Sequence, residues 1–163
     1  MIESAAELYV HAIAIEREAA ERYAELAQRM SDLGNDSVAA LFAFLARAEK
    51  LHLAALRRRT EGVALPALEA DYSWLDAGPP ESVARELVFR LMSQRDALKI
   101  ALQAEKRARA FFEHVVRSAD DPALRALARE MAAEEAEHVA LIERLLERTP
   151  DPNIDWSAVA GAP

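Results

Sequence analysis

The sequence predicts an all-α protein: an antiparallel four-helix bundle with a long crossover between its second and third helices. Three observations predict it. The 163 residues include only 4 glycines and are 52% apolar and 29% charged, with Ala, Glu, Leu and Arg prominent, a helix-forming composition. Four segments carry apolar residues at every third or fourth position, the pattern of a helix face turned toward a core. A Gly- and Pro-bearing stretch of about 20 residues, Glu61 to Pro80, separates the second segment from the third. A structureless stretch of that length fits a connection running the length of a bundle.

The first segment runs from about Ser4 to Met30 and stops at Gly34-Asn35. Its stripe reads Tyr9, Ala12, Glu16, Ala19, Tyr23, Leu26, Met30. The second starts from an Asp36 or Ser37 cap and ends near Arg59, with Leu41, Leu45, Glu49, His52 and Leu56 on its stripe. The Arg57-Arg58-Arg59 run reads as a solvated last turn at the negative end of the helix dipole. In the crossover, Tyr72, Trp74 and Leu75 are expected to tack the chain onto the helices, and Glu81 to Met92 reads as a short helix opened by Pro80. The third segment, Ser93 to Ser118, has the stripe Leu98, Ala101/Leu102, Glu105, Ala108, Phe112, Val115. Asp120-Asp121-Pro122 then supplies an N-cap and a first-turn proline. The fourth segment carries Leu124, Leu127/Ala128, Met131, Glu135, His138, Ile142 and Leu145, ending at Thr149-Pro150. The expected organisation is thus a bundle over residues 1–150 and a tail over 151–163, which holds Trp156.

The net charge of −8 speaks against a nucleic-acid partner or an anionic membrane surface. With no cysteine, disulfides, thiolate metal sites and cysteine nucleophiles are excluded. The first residues lack a basic n-region and no apolar run approaches a membrane span, so the expected compartment is the cytoplasm.

The two halves of the chain repeat one another. IAIEREAAERY (Ile13 to Tyr23) lies over LQAEKRARAFF (Leu102 to Phe112), matching Glu16 with Glu105 and Tyr23 with Phe112. LARAEKLHLAAL (Leu45 to Leu56) lies over MAAEEAEHVALI (Met131 to Ile142), matching Glu49 with Glu135 and His52 with His138. Each half therefore offers a Glu on one helix and Glu-x-x-His on the next, all on core-facing stripes. Residues three apart on a helix share a face, so four carboxylates and two imidazoles point into the interior.

Buried carboxylates without counterions cost several kcal/mol each. Two divalent cations balance four carboxylates while both histidines remain neutral ligands, the arrangement of dimetal helical bundles. An oxygen and nitrogen donor set suits iron or manganese, with zinc a competitor. His11 and His114 serve as controls: neither follows a Glu by three residues, both fall roughly opposite their stripes, and both are expected to be exposed. Glu18, Glu21, Glu134 and Glu137 also fall off the stripes and read as solvent-facing.

With these residues in place, the chain resembles the ferritin-like superfamily and, within it, the rubrerythrin family, over about residues 3–148. AIAIEREAAERYAELA (Ala12 to Ala27) and ALKIALQAEKRARAFFEHV (Ala97 to Val115) are similar to the family's Glu-bearing helices, and AEKLH and EEAEH to its paired Glu-x-x-His. The resemblance implies a centre of two irons held by Glu16, Glu49, His52, Glu105, Glu135 and His138, with Tyr23 beside it. It also implies an oxidoreductase that reacts ferrous iron with peroxide or O2, a separate electron donor, and a homodimer. A protein that holds, buffers or senses iron or manganese without turnover is the alternative. Three departures from the family stand out. The family's rubredoxin-like domain needs cysteines this chain lacks, its extra third-helix Glu is Ala108 here, and Phe112 stands where a second Tyr is common.

Overall fold

The computed structural model describes residues 2–67 and 89–150. Four long helices organise them: α1 Ala5–Asp32, α2 Asp36–Arg59, α3 Gln94–Ser118 and α4 Pro122–Arg148. Among the described residues there is no strand. The remaining part of the crossover, with Tyr72, Trp74 and Leu75, and the tail with Trp156 lie outside the described residues. Of the short helix expected over 81–92, residues 89–91 are described and are helical.

Local chemistry sets each helix end. The Ser4 hydroxyl accepts from the Glu7 backbone N–H, capping α1. At the other end Gly34, at φ 75°, closes a Schellman turn: its N–H donates to Ser31 O at 2.9 Å and the Asn35 N–H to Met30 O at 2.8 Å. The N-cap of α2 is Asn35 rather than Asp36 or Ser37, and its side chain makes no cap hydrogen bond. Instead Asn35 Nδ2 donates to Phe89 O at 3.1 Å and Met92 O at 2.9 Å, fastening the α1–α2 turn to the residues that lead into α3. Ser93 and Asp96 form a reciprocal capping box at α3. Asp121 and Pro122 open α4 as expected. Its C-terminal carbonyls are satisfied from α3, where Arg95 Nη1 donates to Leu146 O at 2.7 Å and Thr149 O at 3.0 Å.

The helices pack as two hairpins, α1 with α2 and α3 with α4, which is what short loops between long amphipathic helices dictate. Their stripes make two apolar clusters. One holds Tyr23, Met30, Phe42, Leu45, Phe89, Leu98 and Ile142. The other holds Leu8, Ile15, Leu56, Ala108, Phe112, Leu124 and Met131. Along every helix the stripe passes from one cluster to the other through a glutamate: Glu16, Glu49, Glu105 or Glu135.

Candidate metal centre

Those glutamates are the anomaly of the core. Among the described residues the buried polar side chains are Thr60 and Glu16, Glu49, Glu105 and Glu135, with no buried lysine or arginine to offset them. Thr60 is satisfied, since its hydroxyl donates to Leu56 O at 2.9 Å. Each glutamate is at most 7% exposed. The two histidines bring the remaining donors. His52 Nδ1 lies 3.4 Å from Glu49 Oε2 and 3.8 Å from Glu16 Oε2. His138 Nδ1 lies 3.3 Å from Glu105 Oε2 and 3.4 Å from Glu135 Oε2. Each hairpin thus contributes one Glu–Glu–His trio. The trios meet where the imidazoles stack, centroids 4.2 Å apart and planes 12° from parallel. The structure brings all six residues together.

Two subsets have one donor atom per residue within 4.8 Å of one another: Glu49–His52–His138 and Glu105–Glu135–His138. That spacing suits a metal ion in either subset, and His138, which belongs to both, can serve only one ion at a time. Oxygen and imidazole donors in this ratio suit first-row divalent ions.

The six side chains by themselves oppose one another electrostatically. Burial, together with a proton shared with Glu49, pushes the Glu16 carboxyl up to about 11. Burial also opposes charge on Glu49, but hydrogen bonds from His52 and Glu16 outweigh it and hold that carboxyl below its usual range. Glu105 rises to about 7, chiefly by burial and the Glu49 and Glu135 charges, against the pull of His138. Burial disfavours the His138 imidazolium, yet its hydrogen bonds to Glu105 and Glu135 prevail and lift it to about 10. Protons on Glu16, Glu105 and His138 thus offset part of the buried negative charge.

Tyr23 is fully buried and its hydroxyl donates to Glu105 Oε1 at 3.4 Å. Burial and the neighbouring Glu105 and Glu49 charges raise the phenol well above its ordinary value, so it keeps its proton. Phe112, its counterpart in the repeat, is buried in the apolar cluster, as is Ala108.

Of the off-stripe residues, His114, Glu21, Glu134 and Glu137 are exposed as expected, whereas His11 and Glu18 are not. His11 is half-buried, its ring 5.5 Å from that of Phe111, and burial lowers its pKa. The off-stripe reading missed that α1 and α3 approach one another there. Glu18 is half-buried, in an ion pair with Arg22 at 2.8 Å. Arg59 is exposed with Arg57 and Arg58, as a solvated last turn requires, and is also ion-paired, its Nη2 meeting Glu130 Oε2 of α4 at 2.6 Å. Arg59, Glu134 and Glu137 also line a cavity of about 290 Å³ that Glu16, His52 and His138 face. A signal for this existed in the sequence: Arg59 follows His52 by seven residues, two turns along the same face.

No described helix is long and apolar enough to cross a membrane. The rubrerythrin family matches residues 7–70, and the ferritin-like domain family matches residues 93–162. Among solved structures, the chain is similar to an uncharacterized conserved protein from Magnetospirillum magnetotacticum. The two share 37% identity over 93% of this chain and 99% of that one, with a TM-score of 0.70. No protein of curated function matches. The chain belongs to the rubrerythrin family of the ferritin-like superfamily.

Proposed function

We propose that the protein is a diiron carboxylate oxidoreductase that binds ferrous iron and oxidises it with peroxide or O2, drawing electrons from a separate donor. The observation that carries this reading is the set of four buried glutamates with no buried lysine or arginine among the described residues to offset them, faced by two histidine Nδ1 atoms. Glu16, Glu49 and His52 would hold one side of the pair of ions, and Glu105, Glu135 and His138 the other. When bound, two ferrous ions supply the two electrons that reduce a peroxide. Manganese or zinc would compete for the same donors.

The chain's own residues handle protons and position. Loading replaces the protons of Glu16, Glu105 and His138 with metal charge. Tyr23 holds a proton on Oη beside Glu105 and orients that carboxylate. The apolar clusters on either side, with Phe42 and Phe112 at most 2% exposed, keep water from the flanks of the centre. Ala108 places a methyl group where the resembled family carries a further carboxylate. That absence favours a second reading, in which the site holds metal reversibly without turnover.

Metal analysis of the purified protein, followed by an anaerobic ferrous–peroxide mixing trace, tests the proposal. It expects about two irons per chain and fast reoxidation. Tight reversible binding with no reoxidation would select the second reading, and a chain that binds no iron would end both. We also place the protein in the cytoplasm as a homodimer, which cell fractionation and a sizing column check.

A further inference from the structure

The cavity beside the histidines shares three of its walls with the centre: Glu16, His52 and His138. The other buried glutamates do not line it, so it approaches the donors from the imidazole side. Its volume of about 290 Å³ accommodates an ion with its first water shell, given about 30 Å³ for each water. The rim is exposed and charged. Arg59 stands on the α2 side, Glu134 and Glu137 on the α4 side.

Arg59 is held unevenly. Its guanidinium grips Glu130 at 2.6 Å and reaches Glu134 at only 3.7 Å, while lying 5.6 Å over the Tyr9 ring. Glu130 and Glu134 are four residues apart on one helix face, so the arginine spans the gap between α2 and α4 at the rim. Glu130 offsets its charge, and Glu134 and Glu137 leave the opening net negative. A net negative rim draws divalent cations in, and the Arg59 guanidinium at its edge, only partly neutralised by Glu130, slows their passage.

We propose that this cavity is the port through which hydrated divalent cations reach the centre, and that Arg59 is its electrostatic gate. The inference rests on the metal-centre reading above. A gate changes rates rather than capacity: loading and chelator-driven release are both slowed by the arginine, and the number of ions bound at saturation is not.

Stopped-flow loading of the full metal-free chain with Co(II), followed by visible absorbance, tests this. In about 10 mM salt, where the Debye length is about 30 Å, Arg59→Gln is expected to load about five-fold faster than the parent. Under the same conditions the double variant Glu134→Gln/Glu137→Gln is expected to load about ten-fold slower. Both differences should collapse in about 1 M salt, where the Debye length is about 3 Å. Arg59→Lys, which keeps the charge and loses the planar fork, should load at the parental rate. Unchanged rates in Arg59→Gln and in the double variant, with full cobalt stoichiometry, would overturn the port and leave the metal centre standing. Equal acceleration in Arg59→Lys and Arg59→Gln would overturn the charge gate. A parent chain that takes up no cobalt would refute the metal-centre reading itself, and the port with it.

Discussion

Tyr23 Oη donates to Glu105 Oε1 across the two hairpins at 3.4 Å, and Phe112, the residue matching Tyr23 in the repeat, has no hydroxyl to return. The site is therefore symmetric in its carboxylates and histidines but not in the groups behind them. The asymmetry extends to charge: the carboxyl with the phenolic partner, Glu105, rises to about 7, whereas Glu16 rises to about 11.

Tyr23→Phe removes one long hydrogen bond and little volume. Urea unfolding of the metal-free protein should show a loss of about 0.5–1.5 kcal/mol, with metal stoichiometry unchanged. A variant that no longer binds metal would show that Tyr23 does more than orient Glu105.

The metal-free fold should weaken as pH rises. Glu16 and Glu105 have folded values of about 11 and about 7 against ordinary values of 4.5, and His138 about 10 against 6.5. In each case the folded chain holds a proton that the unfolded chain releases earlier. Stability therefore falls from above pH 4.5 for the glutamates and 6.5 for the histidine, until the folded values are reached. Glu49, lowered when folded, acts oppositely and loses its contribution only in acid. Denaturant titrations should show a decline of about 1–3 kcal/mol per pH unit between pH 7 and pH 9. Saturating metal should flatten it.

Metal loading should release protons. At pH 7, Glu16 and His138 each hold one and Glu105 is about half protonated, so these groups give up between two and three protons when the site fills. Calorimetry in buffers of different ionisation enthalpy counts them. Release of none would mean that the ions bind elsewhere.

The double variant Glu16→Met/Glu105→Met exchanges two buried carboxylates for apolar groups of similar length. It should abolish metal binding and peroxide-driven reoxidation while raising metal-free stability by about 1–4 kcal/mol, because buried ionisable groups oppose folding when unpaired. Chemical denaturation and metal analysis check the two halves separately. Lower stability with metal binding intact would contradict the charge argument.

Of this protein, the sequence alone determined the helices and the inward-facing carboxylates. A 3.6-residue period makes burial a property of position along one helix, so Glu16, Glu49, Glu105 and Glu135 could be placed in the core from Leu, Ala and Met neighbours. The repeat told which of them belong together. What only the tertiary structure decided depends on how the hairpins are rotated and shifted against each other, which no local period encodes. That includes the stacking of His52 on His138 at 4.2 Å, the choice of Glu105 as acceptor for Tyr23, and the contact of the half-buried His11 with Phe111. It also includes the reach of Arg59 from the end of α2 to Glu130 on α4. A long charged side chain finds its partner through side-chain freedom and helix spacing. The run of three arginines therefore read as a solvated cap, and only the packed bundle turned one of them toward the cavity beside the histidines.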